Sequence, residues 1–275
     1  MEDRSSEAQE PLLVSDAQEI ARIEAENTLR QFDAAMQELK TWINSPSYTL
    51  RPSVILKFNR IALERLSKYA GVFRPSDIKI TGSGHQPQSA EKVPELMEAF
   101  CDYIAANWNE SSAIHLSAYA LWRLNWIHPF VDGNGRTARV VSYLILCAKL
   151  GYRLPGTKTI PEQIAANKQP YYLALEKADR AEKNGESDVS GLEDLMDAHL
   201  AAQLVEVHNV ANNKGPEVRG AVAKYPDAAP NEVLRIAPTQ EISAWNRLVK
   251  NVESHPVLFS GAFLLLATVM TLLLS

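Results

Sequence analysis

Between residues 128 and 139 the chain reads HPFVDGNGRTAR, a polar break between two long apolar patterns. The pattern before it, SAIHLSAYALWRLNWI, and the pattern after it, RTARVVSYLILCAKLGY, both have the apolar spacing of helices. Gly133 and Gly135 permit backbone conformations that other residues avoid, and they open directly into the second helix. The sequence therefore predicts a helix–loop–helix in which exposed N–H groups at a helix N-terminus form an anion site.

The side chains of this loop suit a polyphosphate and a metal ion. Arg136 and Arg139 are three residues apart, so both project from one face of the first helical turn and can hold phosphates. Asp132 supplies the hard oxygen ligand that Mg2+ prefers. His128, at the other end of the loop, titrates near neutral pH and can act as a general base. Each feature alone is common in turns and on surfaces, and it is their combination that indicates chemistry.

The rest of the chain predicts an all-α protein with five segments. Residues 1–14 begin with a polar, acidic stretch over positions 1–10 and are expected to be disordered. A capped helix is predicted within 15–45, and the main helical domain within 46–212. Residues 213–255 include a stretch rich in glycine and proline, as a linker would. Residues 256–275 form the last segment.

A small β structure is predicted inside the main domain. Ile78 and Ile80 alternate with polar residues, and Gly82, Gly84 and Pro87 follow them. This pattern is typical of a short strand or hairpin that opens into a loop.

The last segment predicts a membrane anchor. Residues 257–274 read VLFSGAFLLLATVMTLLL, and a charge-free run of about 18 residues is near the lower limit for a membrane-spanning helix. The alternative is a helix buried in an oligomer or in the main domain. Arg247 and Lys250 precede the run and nothing basic follows it, so the catalytic domain is expected in the cytoplasm, tethered by a single-pass C-terminal anchor. The first ten residues lack the features of a signal peptide.

The charge and the cysteine content of the chain exclude some classes of partner and site. The formal net charge of −5 argues against a nucleic-acid partner, because a surface that follows phosphates needs a basic excess. Cys101 and Cys147 both fall in apolar helical patterns, and two isolated cysteines form neither a disulfide scaffold nor a zinc site. They are predicted to be buried and reduced.

HPFVDGNGRTAR resembles the signature of the Fic (filamentation induced by cAMP) family, His-Pro-Phe-x-Asp/Glu-Gly-Asn-Gly-Arg-x-x-Arg, at every specified position. The resemblance covers roughly residues 15–205 and implies a Fic-type helical bundle. Residues 71–97 resemble the family's β-hairpin flap, which clamps an extended segment of a target protein. The flap residues so implied are Ile80, Thr81, Gly82 and His85. Residues 169–179 resemble a helix whose aromatic residues flank adenine, although Tyr171 and Tyr172 could equally belong to the core.

The resemblance implies a protein adenylyltransferase that uses ATP and Mg2+. His128 would deprotonate a Ser, Thr or Tyr hydroxyl of the target, which attacks the α-phosphate of ATP. Asp132 would hold Mg2+ between the α- and β-phosphates. The implied ATP-binding residues are Gly133, Asn134, Gly135, Arg136 and Arg139.

Many Fic proteins also carry an inhibitory helix with the pattern Ser/Thr-x-x-x-Glu-Gly/Asn, whose Glu pairs with the second signature arginine. In the N-terminal helix, Glu26 followed by Asn27 fits the end of this pattern, but Arg22 stands where Ser or Thr is expected. Glu24 is the competing candidate, and an ordinary solvated helix face is the third interpretation.

Two alternative functions stay open. A Fic-type site can transfer other phosphate diesters or remove AMP, although the phosphate-transferring branch carries lysine where this chain has Gly135. A membrane-tethered nucleotide-binding module without activity is the other alternative. The expected partners are a target protein that presents a hydroxyl in an extended segment and, through residues 256–275, a membrane. A homodimer and the identity of the target are left open.

Overall fold

A computed structural model describes residues 5–7, 13–45 and 47–211, and this part of the chain is almost wholly helical. Its α-helices are α1 (Ala17–Asn44), α2 (Pro52–Leu63), α3 (Val93–Ala106), α4 (Ala113–Ile127), α5 (Asn134–Leu150), α6 (Ile160–Ala166), α7 (Lys168–Lys183) and α8 (Ser190–Ala211). The prediction of a helical class is confirmed. None of the helices in these ranges is both long and apolar enough to span a bilayer. The predicted anchor at 256–275 and linker at 213–255 lie outside the described residues.

Helices α4 and α5 form the centre of the core. Both are buried on nearly every face, because α1 and α2 pack on α5 while α3 and α8 pack on α4. The Ser142 hydroxyl donates to the Ser117 carbonyl over 2.8 Å, so two small side chains let the helices approach closely. The predicted helix–loop–helix is therefore the central unit, and residues 128–133 connect its two helices.

Helix α1 is fixed against α2 by buried polar side chains as well as by apolar ones. The Asn27 amide donates to the Glu64 carbonyl over 2.8 Å, and the Gln31 amide donates to the Phe58 carbonyl over 3.1 Å. Both side chains are buried, so these bonds fix the rotation of α1 about its axis. That rotation decides which residues of α1 face the loop of residues 128–133, called the signature loop below.

The β structure differs from the prediction. Strand β2 (Lys79–Thr81) pairs with strand β1 (Ser5–Glu7), which lies near the N-terminus. The pair is antiparallel, with Ser6 opposite Ile80. The prediction of a hairpin within the flap was therefore wrong, whereas the alternative of a short strand that opens into a loop is what the structure shows. Residues 5–7, which lie in the segment expected to be disordered, form β1. After β2 the chain turns at Gly82, with a φ of 70°, into irregular structure, so no strand returns from the flap itself.

The two cysteines are confirmed as free and buried. Burial raises the pKa of the Cys101 thiol and of the Cys147 thiol to about 12, so neither is a thiolate at neutral pH.

Candidate active site

His128 follows directly on the last residue of α4. Its backbone is left-handed, with a φ of 51°, and its N–H donates to the Leu124 carbonyl over 3.0 Å, so it ends the helix and starts the loop. The imidazole Nδ1 lies 3.3 Å from the Asn125 carbonyl oxygen. Because a carbonyl only accepts, this contact assigns the proton to Nδ1 and makes Nε2 the acceptor. An imidazole in this tautomer can act as a base through Nε2.

Asn134 holds the loop in shape. Its Oδ1 accepts from the Phe130 N–H over 2.9 Å, and its Nδ2 donates to the Phe130 carbonyl over 2.8 Å. The amide is buried, as is the Phe130 ring. Asn134 borders the cavity as the sequence predicts, but the amide is occupied by the backbone of Phe130. Its role in the fold is therefore to position the loop.

A second buried asparagine, Asn59 of α2, fixes the turn before α5. Its Nδ2 donates to the Asp132 carbonyl over 3.0 Å, and its Oδ1 accepts from the Gly71 N–H over 3.0 Å. Gly133 has a φ of 75°, and a Cβ there would lie 3.0 Å from Asn59 Nδ2, so both conformation and space favour glycine. Sequence interpretation missed Asn59, because nothing in its local pattern indicates this distant contact.

Arg74 joins the flap to the loop and was also missed. The residue is only 2% exposed, and its Nε donates to the His128 carbonyl over 2.9 Å. The other nitrogens donate to the carbonyls of Ser76 and Gln88. Burial lowers the pKa of Arg74, which the nearby Asp77 carboxylate partly offsets, and an arginine remains charged. The guanidinium thus connects two points within the flap, Ser76 and Gln88, to the backbone of His128.

The anion site was predicted at the N-terminus of α5, where Asp132 and Arg136 contact each other. The Asp132 carboxylate accepts from the Gly133 N–H over 2.5 Å and from Arg136 over 3.0 Å, yet its side chain is 62% exposed. Mg2+ is commonly bound by one or two carboxylates together with phosphates and water, and an exposed carboxylate beside an anion site fits that arrangement. Across the described ranges, no group of three or more His, Cys, Asp or Glu residues could hold a metal ion.

Arg139 points its charge into the same region. Within the described part of the chain no hydrogen bond or ion pair engages its guanidinium, whereas Arg136 is shared by two carboxylates. Burial lowers the pKa of Arg139, and the neighbouring Tyr171 and Tyr172 partly offset this effect. The group stays protonated at neutral pH. A Cβ at Gly135 would lie 3.3 Å from Arg139 Nη1, so a side chain there would crowd the guanidinium.

The two candidate glutamates of α1 lie in different surroundings. Glu24 Oε1 is 3.0 Å from Arg136 Nη1 and borders the cavity. Glu26 instead pairs with Arg22 and with Arg65, away from the cavity. The structure places the alternative, Glu24, at the signature loop and Glu26 outside it. The ion pair of Glu24 is with Arg136, the first signature arginine, whereas the inhibitory pattern implies a pair with the second, Arg139.

A cavity of about 470 Å³ unites these groups, within the size range of ligand sites. Its lining comes from β1, α1, the flap, the end of α4, the loop with α5, α6 and α7. The lining residues are Ser6, Glu24, Ile80, His85, Asn125, His128, Asp132, Gly133, Asn134, Gly135, Arg136, Arg139, Ala165, Lys168, Tyr171, Tyr172, Leu175 and Asp179. Tyr171 and Tyr172 are both buried and both border the cavity, so the two interpretations of them are compatible.

The predicted flap residues separate into two groups. Ile80 and His85 border the cavity, and Thr81 and Gly82 do not. His85 donates from Nε2 to the Trp126 carbonyl over 2.7 Å, so its ring anchors the flap to α4. Ser6 borders the cavity although no sequence signal indicated it, and its Oγ lies 3.0 Å from His128 Nε2.

Residues 49–146 match the model of the Fic/DOC family. The chain is similar to the protein adenylyltransferase Fic of Drosophila willistoni, with 28% identity over 163 residues, which are 58% of this chain and 30% of that protein. It is also similar to the protein adenylyltransferase Fic of Nematostella vectensis, with 30% identity over 44% of this chain and 28% of that protein. The chain thus spans less than a third of the length of these relatives.

Solved structures support the fold. A Fic domain containing signaling protein from Bacteroides thetaiotaomicron aligns with a TM-score of 0.60 and 19% identity, over 74% of this chain and 78% of that one. A Fic family protein from Desulfovibrio desulfuricans aligns with a TM-score of 0.52 and 18% identity, over 87% and 65%. The prediction of a Fic-type helical fold is confirmed.

Proposed function

We propose that this chain is a protein adenylyltransferase that transfers AMP from ATP to a hydroxyl side chain of a protein. The supporting observation is that one cavity brings together an imidazole acceptor at His128, the N-terminus of α5, and the charges of Arg136 and Arg139. The adenylyltransferase names of the relatives agree with this assignment.

His128 acts on the hydroxyl. Its Nε2 takes the proton as the hydroxyl oxygen forms a bond to the α-phosphorus of ATP, and the bond from that phosphorus to the bridging oxygen breaks. Pyrophosphate leaves, and the target keeps AMP as a phosphodiester. The Nδ1–H contact with the Asn125 carbonyl stabilises the imidazolium that forms.

The other end of the cavity holds the phosphates. The N–H groups at the start of α5 and the guanidinium groups of Arg136 and Arg139 are placed to neutralise their charge before and during transfer. Asp132 would hold Mg2+, which supplies further positive charge to the phosphates when it is bound. Tyr171 and Tyr172 supply an apolar wall for the base of the nucleotide.

Glu24 supplies an inhibitory carboxylate. It occupies Arg136 Nη1 while Asp132 occupies Nη2, so the guanidinium that should hold a phosphate is engaged by two anions. A carboxylate bordering the cavity also repels a triphosphate. Glu26 is not assigned this role because its partners, Arg22 and Arg65, lie outside the cavity.

The test compares wild type with His128→Ala, using ATP labelled at the α-phosphate. Loss of a general base lowers transfer by about 10²- to 10⁴-fold. His115→Ala is the control, because His115 lies on the same helix and contacts Tyr103 and Glu193 instead of the cavity. Equal labelling in wild type and His128→Ala contradicts the proposal. A parallel assay uses ATP labelled at the γ-phosphate, and covalent label in that assay would indicate phosphate transfer. Nucleotide that binds but is never attached covalently would indicate a binding module.

We also propose, on the sequence of residues 256–275, that the protein is attached to a membrane and modifies a target near it. Removal of residues 256–275 is expected to shift the protein from the membrane fraction to the soluble fraction without changing transfer in solution. An unchanged distribution between the fractions contradicts the attachment.

A further inference from the structure

Strand β1 lies on the flap in the manner of a bound peptide. It adds to β2 by antiparallel pairing, with Ser6 directly opposite Ile80. Residues opposite each other in such a pair share one face of the sheet, and Ser6 and Ile80 both border the cavity. The register therefore directs the Ser6 side chain towards the signature loop.

The Ser6 hydroxyl is in hydrogen-bond contact with His128, the proposed general base. Its Oγ lies 3.0 Å from His128 Nε2, within the reach required of a general base and the proton it abstracts. The Asn125 carbonyl assigns the proton of the ring to Nδ1, so the hydroxyl donates to Nε2. This is the direction in which the proton moves when a hydroxyl becomes a nucleophile.

The same serine borders the cavity that the start of α5 also lines. Ser6 shares the cavity with Gly133, Arg136 and Arg139, so a nucleotide held at the start of α5 lies in the same enclosure. We infer that Ser6 is a modification site of the chain's own activity: the strand is an intramolecular substrate, and Ser6 Oγ receives AMP.

This inference rests on the proposed function and names one acceptor for it. The O–H bond of Ser6 breaks, its proton moves to His128 Nε2, and Oγ bonds to the α-phosphorus of ATP. The bond between that phosphorus and the bridging oxygen breaks, and pyrophosphate carries away the electron pair. The product is a phosphodiester between Ser6 and AMP.

The experiment uses the full chain with Mg2+ and ATP, followed by peptide mapping with mass spectrometry. AMP is expected on the peptide that contains Ser6, and fragment ions assign it to that residue. Ser6→Ala abolishes this modification, Ser6→Thr retains it because the hydroxyl is kept, and His128→Ala abolishes it. Ser5→Ala is the matched control, since it removes the adjacent serine of the same strand and leaves the modification in place.

A mixing experiment tests the intramolecular step. The rate of Ser6 modification per molecule should not depend on protein concentration. When wild type is mixed with a mass-tagged His128→Ala chain, Ser6 of the tagged chain should stay unmodified. Modification of the tagged chain that rises with concentration overturns the intramolecular assignment.

The remaining outcomes separate this inference from the proposed function. If His128-dependent AMP appears on other residues or other proteins while Ser6 stays unmodified, Ser6 is only a plug in the cavity: the inference fails and the proposed function stands. The Glu24→Ala variant is included so that inhibition does not hide transfer. If that variant also gives no His128-dependent AMP on any protein, both proposals fail.

Discussion

The signature loop (residues 128–133) and the described N-terminal residues (5–7 and 13–45) bring groups to the same cavity, but these groups are held in place very differently. The loop is fixed by buried hydrogen bonds from Asn134, Asn59 and Arg74. Helix α1 is itself fixed against α2, but at the cavity the N-terminal side chains make only one hydrogen bond, from Ser6, and one ion pair, from Glu24, whose side chain is 45% exposed, among the described contacts. Rigid elements suit catalysis and weakly held ones suit control. On the proposed function, we expect the loop to carry the reaction and the N-terminal region to modulate it.

The largest expected effect comes from breaking the loop at Asn134. Asn134→Ala leaves the buried N–H and carbonyl of Phe130 without partners, at roughly 1–3 kcal/mol for each group. Urea unfolding followed by circular dichroism measures this loss, and AMP transfer should fall with it. Asn184→Ala, an exposed asparagine at the end of α7, is the control. A native-like stability in Asn134→Ala would show that the loop does not depend on this side chain.

The next effect tests the connection between the flap and the loop. Arg74→Met keeps the apolar volume but removes the donors to the carbonyls of His128, Ser76 and Gln88, and should destabilise by roughly 1–3 kcal/mol. The flap should loosen, so AMP transfer falls more than in a variant of an exposed arginine such as Arg180→Met. Hydrogen exchange of residues 76–88 measures the loosening. Exchange as slow as in wild type would contradict the role of Arg74.

Removal of the Glu24 carboxylate should have a smaller effect, and it should raise the rate of AMP transfer instead of lowering it. A partly exposed ion pair contributes about 0.2–1 kcal/mol, so Glu24→Ala should raise transfer by about 1.4- to fivefold. Glu26→Ala is the matched control and should leave the rate unchanged, because its ion pairs are outside the cavity. Initial rates with α-labelled ATP decide between them. If AMP transfer is faster in Glu26→Ala and unchanged in Glu24→Ala, Glu26 is the inhibitory residue, as the end of the inhibitory sequence pattern predicts.

The smallest expected change in stability comes from Ser6→Pro, which tests directly whether β1 is held as firmly as the signature loop. Ser6→Pro removes a backbone N–H and disfavours the strand, but the free energy of unfolding should change by no more than about 0.5 kcal/mol, as for surface substitutions. Because the pairing with β2 is lost, an added peptide with a hydroxyl should be modified faster than by Ser6→Ala, which keeps the strand. A loss of stability as large as that of Asn134→Ala would mean that β1 is part of the core.

The sequence predicted what is local and missed what depends on distant packing. The loop could be recognised because its chemistry lies within one short stretch, and α1 (Ala17–Asn44) falls inside the predicted 15–45. Glu24 and Glu26 lie about 200° apart around a helix, so only one can face the cavity. Which one depends on the rotation set by Asn27 and Gln31 against α2. The partner of β2 could not be predicted because it lies more than seventy residues earlier in the chain.

The pairing of β1 with β2 also bears on aggregation. A strand with unpaired N–H and carbonyl groups is a template for association with other chains. In this fold the residues 5–7 satisfy those groups on one side of β2 from within the same molecule. Any event that releases β1, including the binding of a target, therefore exposes a surface on which two copies can pair. Light scattering of Ser6→Pro at increasing concentration would detect that self-association.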